Sequence, residues 1–447
     1  MPHLERPYID EVKGHQRRYA KMVRFTHSAT KAAGVMLLAA IASVVIANTT
    51  FHEQNLRIWH TEIVIGIGGA VHAMSLAHII NDALMAVFFL LVGIEIKHEL
   101  IAGELRDLRQ AALPIAAAFG GVLMPAIIYL LFNAGSGTMS GWSVPTATDI
   151  AFALGVLALL GDRIPSGLRV FLSTLAVVDD IITVLVIAIF YGQTPNFMWL
   201  AIAAGVFAVL VWLNRTHVYS LVPYTVLGIV LWACVFMSGV HAAIAGVLLA
   251  FTIPSGTRVD LDGFLDWSHA RMDRAADEFD ESKPLVAQND FLNMVREIYR
   301  VSKQAVPPAV RLENRLYPWV YFFILPLFAL TNSGVSFIGT TPGMFLSSPV
   351  LPGVLLGLLL GKPVGIMLVS LLVVKTGRAS LPEGCTWTHM VGAGVLAGIG
   401  FTMSIFVANL GFADAASVTV AKAAVLTAST IAGIVGFLIL YLKAARE

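Results

Sequence analysis

Asp179 and Asp180 are neighbours near the middle of an apolar run, residues 170–191, in which they are the only charged side chains. A carboxylate at a bilayer centre costs roughly 2.5 to 3.5 kcal/mol on insertion scales, so two kept there together mark a functional site. Asp149 and Lys362 lie inside two further hydrophobic segments, giving three acids and one base at membrane depth. Such a set reads as an ion or proton pathway. Adjacent helix residues point about 100° apart, so the two neighbouring acids need different partners. One is expected to meet a buried cation such as Lys362, and the other to face a water-filled cavity that holds a cation or a proton. Low dielectric and a second acid nearby let a carboxylate exchange a proton for a metal ion, and make Lys362 a candidate proton carrier. A purely structural ion pair accounts for one acid and Lys362 but leaves the second acid without a role.

The elements that position these groups are themselves interrupted. Val144-Pro145-Thr146-Ala147-Thr148-Asp149 opens a hydrophobic stretch with a proline, two threonines and an acid, and Gly398-Ile399-Gly400-Phe401-Thr402-Met403-Ser404 is its counterpart late in the chain. Paired interrupted spans in corresponding halves point to an inverted-repeat transporter, where unwound backbone at the midplane exposes carbonyls and helix ends. Facing half-helix ends carry partial charges of like sign, so Asp149 can neutralise positive ends and Lys362 negative ones. An ordinary kink filled by threonine side chains is the plainer reading of either segment alone. Gly353, Gly357, Gly361 and Gly365 recur every fourth residue around Lys362 and predict close approach of another helix. Asp82 marks the outer end of one span; Glu95, Lys97, His98 and Glu99 mark its cytoplasmic end. Glu95 and Glu99, one turn apart, either line a cation-attracting entrance or act as interfacial anchors.

Composition sets the class. With 57% hydrophobic and 13% charged residues and a mean hydropathy of +0.79, the chain falls among polytopic membrane proteins. A net charge of +1 gives no indication of nucleic acid, and Cys234 and Cys385 form neither a disulfide framework nor a metal motif. The 12 histidines lack zinc spacing; His241 beside Gly239 reads as a satisfied interior histidine rather than a sensor. With no phosphate loop or nucleophile elbow, coupling to ATP hydrolysis is not supported, and no cofactor is expected.

Apolar stretches long enough to cross a bilayer recur about twelve times. They lie near 32–49, 82–101, 111–132, 146–161, 167–191, 197–214, 218–236, 238–254, 316–334, 350–375, 389–411 and 417–443. Basic residues alternate with these spans: Lys97, Arg106 and Arg109, then Arg163 and Arg169, Arg215, the segment after Pro254, Lys375 and Arg378, and finally Lys443 and Arg446. The opposite loops 133–145, 192–196 and 332–348 carry none, which predicts an even span count with both termini cytoplasmic. Residues 1–31 form a cytoplasmic segment of mixed charge ahead of a retained first span, and 32–443 the transport domain. Two insertions interrupt it. Residues 51–81 lie outside, where the alternation of Ile63, Ile65 and Ile67 and the Gly68-Gly69 pair suggest a β-hairpin. Residues 255–310 lie inside; Phe291, Leu292, Val295, Ile298 and Tyr299 predict a surface helix packed on the membrane domain, with the acidic part before it solvated or mobile.

Ile80-Asn81-Asp82 through Val87-Phe88-Phe89, Gly93-Ile94-Glu95-Ile96-Lys97, Ala147-Thr148-Asp149-Ile150-Ala151-Phe152, Val178-Asp179-Asp180, Ser238-Gly239-Val240-His241-Ala242, Leu360-Gly361-Lys362-Pro363 and Gly398-Ile399-Gly400-Phe401-Thr402-Met403-Ser404 together closely resemble the NhaA-type bacterial sodium/proton antiporter family, over most of residues 80–440. That family is a standard example of inverted repeats. The resemblance implies an all-α protein of twelve transmembrane helices in the bacterial inner membrane, two of them crossed and partly unwound at the Thr148 and Gly400 segments. Asp180 then corresponds to the principal sodium and proton site, Asp179 to its neighbour paired with Lys362, and Thr148 and Asp149 to supporting groups. Glu95, Glu99 and Glu313, with His241 and Arg311, match the funnel and pH-response region, and Asp82 an acid at the far end of the funnel helix. Gly398, Gly400 and Thr402 match the structural break. Electrogenic exchange of sodium or lithium for more than one proton is implied, as is a homodimer joined through residues 62–74. Val310, Asn314 and Tyr317 depart from the family pattern beside Arg311-Leu312-Glu313, and 255–310 is longer than in compact members, departures that bear on the pH profile.

Two other classes use the same ingredients. An intramembrane aspartyl protease needs acids from separate helices facing across a water, whereas Asp179 and Asp180 are adjacent and the Gly-x-Gly-Asp motif is absent. A sodium-coupled symporter of an organic solute on a related fold would separate from an exchanger in an ion-only uptake assay.

Overall fold

The computed structural model describes residues 25–26, 28–67, 70–106, 108–192, 194–257, 259–337 and 342–445. Most of the N-terminal segment 1–31, the Gly68-Gly69 pair and Arg446 lie outside them. Helices dominate: α1 Ala29–Ala47, the short α2 His52–Trp59, α3 Leu76–Ile101, α4 Leu108–Asn133, α5 Ile150–Leu159, α6 Ser166–Phe190, α7 Phe197–Arg215, α8 Leu221–Met237 and α9 Ala243–Thr252. Then follow α10 Leu261–Glu278, α11 Asn289–Ala305, α12 Pro308–Trp319, α13 Leu325–Asn332, α14 Pro342–Ser347, α15 Val350–Lys375, α16 Trp387–Ala397, α17 Phe401–Gly411 and α18 Ala415–Ala444. Two strands, β1 Glu62–Ile67 and β2 Ala70–Ser75, pair antiparallel with Ile63 opposite Met74 and Ile67 opposite Ala70.

Among the described residues eight helical stretches are long and apolar enough to cross a membrane, one of them Met139–Leu159, where a tight helical segment Met139–Thr146 leads into α5; they are nine with α16 and α17 taken as one span bent by 44°. The chain is therefore a polytopic helical membrane protein. α8 and α9 are apolar but shorter, and a π-helical turn, Val320–Ile324, separates α12 from α13. A bilayer forces this architecture, because only helices satisfy the backbone within a lone segment; Pro114 and Pro125 inside α4 are tolerated where neighbouring helices cover the freed carbonyls.

Apolar packing forms two cores. The larger joins α1, α3 to α6 and α13 to α18, and the smaller is built by α7, α8 and α9. Lys97 ties the second to α3 by donating to the Phe251 carbonyl at 2.9 Å, at the C-terminal end of α9. Placing a cation on these free carbonyls offsets the negative end of the helix.

Residues 255–310 keep most of their acidic side chains solvated, as expected, but within a pair of packed helices. The acidic stretch is helical: Asp260 accepts the Gly263 amide at 3.2 Å and starts α10, whose Ser268 and Ala275 are buried. α10 packs along α11 through the Arg271–Glu297 ion pair at 2.6 Å and the Phe279–Phe291 ring contact at 5.2 Å. The apolar face of α11 thus meets α10 rather than the membrane helices, and Val295 and Tyr299 stay exposed. At the turn, Ser282 and then Lys283 hold the Asp280 carboxyl down at about 2.

Candidate functional site

Asp179 and Asp180 sit midway along α6 and are 1% and 3% exposed, with Lys362 on α15 at 0%. Lys362 Nζ lies 2.8 Å from Asp179 Oδ2 and also donates to the Thr146 carbonyl. The glycine row explains this reach. A Cβ on Gly365 would stand 2.1 Å from the Gly120 carbonyl oxygen, and one on Gly361 would stand 2.9 Å from Pro125 Cα, so α15 lies directly on α4. Asp179 keeps Oδ1 buried with no hydrogen-bond partner, so half of this carboxylate is unsatisfied.

Asp149 occupies the other polar centre, where two broken helices meet. Its backbone is extended, and Oδ1 accepts the Phe152 amide at 3.0 Å, capping α5. Its Oδ2 accepts the Thr402 amide at 3.1 Å and the Thr402 hydroxyl at 2.5 Å, at the start of α17. A single carboxylate therefore serves two helix N-termini, whose free N–H groups and partial positive charge favour an anion. The breaks are also cross-linked through the backbone. The Asp149 amide donates to the Ile399 carbonyl at 2.7 Å, and Thr148 Oγ1 to Ala397 at 2.9 Å. Gly398 and Gly400 let the chain turn there; a Cβ on Gly398 would meet the Leu358 carbonyl at 2.6 Å.

Between these centres lies a cavity of about 10 Å³ lined by Asp180, Glu95, Asp149, Tyr321, Thr402 and neighbouring apolar groups. That is room for roughly one water-sized guest. Glu95 therefore belongs to the buried site rather than only to the span end, and Tyr321 lines the same cavity beside it. Tyr321 was not singled out by the sequence reading. The available signal was a tyrosine inside an apolar span, here set on the π turn between α12 and α13. Two other π turns hold or precede site residues: Ile80–Leu84 contains Asp82, and Gly357–Gly361 immediately precedes Lys362. Such bulges often accompany functional positions.

The structure thus gathers Asp149, Thr148, Asp179, Asp180, Lys362, Glu95, Gly398, Gly400 and Thr402. The remaining candidates lie elsewhere. Glu99 accepts the Glu104 amide at 3.1 Å and caps a local turn, which separates it from Glu95. Glu313 lies 3.8 Å from His98, and Arg311 turns away to the Tyr219 carbonyl at 3.1 Å. Asp82 pairs with His78 at 3.0 Å, and His241 Nε2 meets the Tyr191 carbonyl at 3.0 Å. A larger cavity, about 950 Å³, opens between α4, α6 and the loop before α16 and contains none of these candidates; Thr174 is its only lining residue from the middle of α6. Among the described residues no three His, Cys, Asp or Glu side chains form a metal-chelating group.

Comparison with known proteins follows the same line. The sequence model of the family described as Na+/H+ antiporter 1 matches residues 23–440. The chain is 43% identical to the Na(+)/H(+) antiporter NhaA of Wolinella succinogenes over 97% of its own length and 96% of that protein. It is 44% identical to the protein of the same name from Oleidesulfovibrio alaskensis, over 91% of this chain and 90% of the relative. For the protein of that name from Helicobacter pylori G27 the identity is 42%, with 92% and 93% covered.

Proposed function

Because this chain belongs to the Na+/H+ antiporter 1 family, we propose that it exchanges sodium for protons across a membrane, with the buried acids of α6 as the shared binding site. It is a secondary transporter rather than an enzyme, so the protease reading falls away, and nothing in the comparisons supports organic-solute symport. One observation carries the site assignment: of two adjacent buried acids, Asp179 is held by Lys362, while Asp180 opens onto a cavity for a single small guest.

Each residue then has a role. Asp180 holds either a proton or a small alkali ion, sodium or lithium. Glu95 and Tyr321 line its approach. Asp149 supplies fixed negative charge to two helix ends, and Lys362 supplies positive charge to the carbonyl end at Thr146 while restraining Asp179. Protons bound at the Asp179, Asp180 and Lys362 cluster from outside are released inside as sodium binds, and only loaded states change orientation. Exchange of more than one proton per sodium makes the cycle electrogenic. Adding α8, α9 and the α12 to α13 pair to the nine longer crossings gives the twelve-helix inverted repeat, with α5 and α17 starting at its crossed breaks. Both termini and residues 255–310 are then cytoplasmic, and β1 and β2 lie outside as the contact between two copies. Asp82, Glu99, His241, Arg311 and Glu313 serve ion access and pH response rather than exchange itself.

The test is sodium-induced dissipation of a pH gradient in everted vesicles or proteoliposomes, titrated with pH, with and without a clamped potential. Apparent sodium affinity should weaken as protons become abundant. An affinity that does not change with acidity, or a gradient untouched by sodium, would overturn the proposal.

A further inference from the structure

Away from the acids, two surface cavities share Leu159 and Phe437 and so run into one another. The first is an apolar groove of about 640 Å³ between α1, α5 and α18, open to the side of the bundle. Its rim carries Leu37, Leu159 and Leu438, 44%, 62% and 47% exposed. Along α18 it runs from Leu426 to Leu438, about 18 Å at the helical rise, close to one leaflet of a hydrocarbon core about 30 Å thick. Its floor at Gly433 is bare; a Cβ there would meet only Ile399 Cδ1 at 3.8 Å.

The second cavity, about 580 Å³, has a different character. It lies at the end of the groove beside the turn after α5, where Gly161 takes φ +58°, a conformation suited to glycine, and Arg169 donates to its carbonyl. There the exposed Arg163 guanidinium lies 5.7 Å from the Tyr441 ring, and Tyr441 stacks on Phe437 at 5.9 Å. No carboxylate pairs with Arg163 among the described residues. An arginine on an aromatic face keeps its N–H edge free for a phosphate, and tyrosine and arginine are characteristic of the membrane boundary.

From these features we infer a binding site for one phospholipid with an anionic headgroup. The phosphate meets Arg163 beside Tyr441, and one acyl chain lies in the groove up to Phe152, Phe401 and Ser429. Groove length, an apolar wall inside the hydrocarbon layer, and a cation at its mouth with no carboxylate partner among the described residues together select this ligand over a protein partner. The tail would end at the broken helices. Phe152 and Phe401 are in edge contact at 5.2 Å, and Ser429 Oγ accepts the Phe401 amide at 3.1 Å where α17 begins.

The test reads lipid binding directly, independent of ion exchange. Full-length protein in mild detergent is titrated with palmitoyl-oleoyl phosphatidylglycerol or phosphatidylcholine and examined by native mass spectrometry. One phosphatidylglycerol should bind at least tenfold more tightly than phosphatidylcholine. Arg163→Gln, an exposed change, should remove that preference, and Arg163→Lys should restore part of it. Gly433→Phe should block the tail in both lipids, whereas Gly433→Ala should bind as the parent does. Equal retention of both lipids by the parent, or unchanged phosphatidylglycerol binding in both Arg163→Gln and Gly433→Phe, would overturn the site.

Discussion

Asp149 and Asp180 border the same small cavity, yet their surroundings are opposite. At the helix break, Asp149 receives three hydrogen bonds from two different helix starts. On the same cavity wall, Asp180 has an acidic neighbour on its own helix and another lining acid in Glu95, while Lys362 is engaged with Asp179. The first acid is an acceptor saturated by fixed donors and behaves as part of the backbone architecture. The second lines the cavity with no such set of fixed donors, and on the proposed function it is the group that the exchanged ion binds. Membrane burial of a carboxylate therefore does not by itself identify a transport site; the discriminating property is how many of its partners belong to the protein.

The sharpest way to break this contrast is to neutralise each acid and compare two readouts. Asp180→Asn keeps the shape but removes the ionisable group. Losing one partner of a buried charge interaction is worth about 3–5 kcal/mol, so sodium-driven proton movement should fall by roughly two orders of magnitude or more. Its thermal midpoint in detergent should hold or rise, since an uncompensated buried acid has been removed. Normal exchange in this variant would show that the cargo binds elsewhere.

Asp149→Ala should act in the reverse order. It strands the Phe152 amide and both Thr402 donors, at a cost on the order of 2–3 kcal/mol for the set, read as a fall in thermal midpoint. Asp149→Asn, whose amide oxygen can still accept, should lose less. If Asp149→Ala melts with the parent protein while Asp180→Asn melts early, the assignment of architecture and cargo must be exchanged.

This difference was only half legible in the sequence. Asp149 as a cap could be read from Pro145, Thr146 and Thr148 around it, because breakers followed by an acid mark a helix start. That the same carboxylate would reach Thr402, 253 positions away, is a tertiary contact with no local signature. The Asp179, Asp180 and Lys362 set stood out because charge inside an apolar run is conspicuous at any distance. Glu95 was harder to place. It stands two residues before Lys97 and four before Glu99, so its local sequence resembles a span end, and only the packing of α3 against the Val320–Ile324 turn sets it beside Tyr321. The acidic stretch after Pro254 was legible in part. Its many carboxylates suggest a solvated or mobile stretch, and most of them are exposed, yet Phe264, Ser268, Arg271 and Ala275 fall on one helical face, and that stripe is what α11 covers.

The smallest expected effect concerns that paired insertion and extends the comparison to a region outside the transport core. The Ala309 amide donates to the Pro254 carbonyl at 3.1 Å, so the chain enters and leaves the insertion at one point. α10 and α11 are held chiefly by each other, through Arg271 and Glu297 and through Phe279 and Phe291. Replacing residues 257–306 by a short Gly-Ser linker should therefore leave the α9 to α12 connection closed without strain. Exchange at saturating sodium should stay within about twofold of the parent, as expected when a surface insertion with adjacent ends is removed. An activity profile displaced along the pH axis at unchanged maximal rate would assign the insertion to regulation and leave the exchange site as described. Loss of exchange in a protein that still folds would make α10 and α11 part of the transport machinery, and the division between a fixed scaffold, an exchangeable acid and a dispensable insertion would fail at its last boundary.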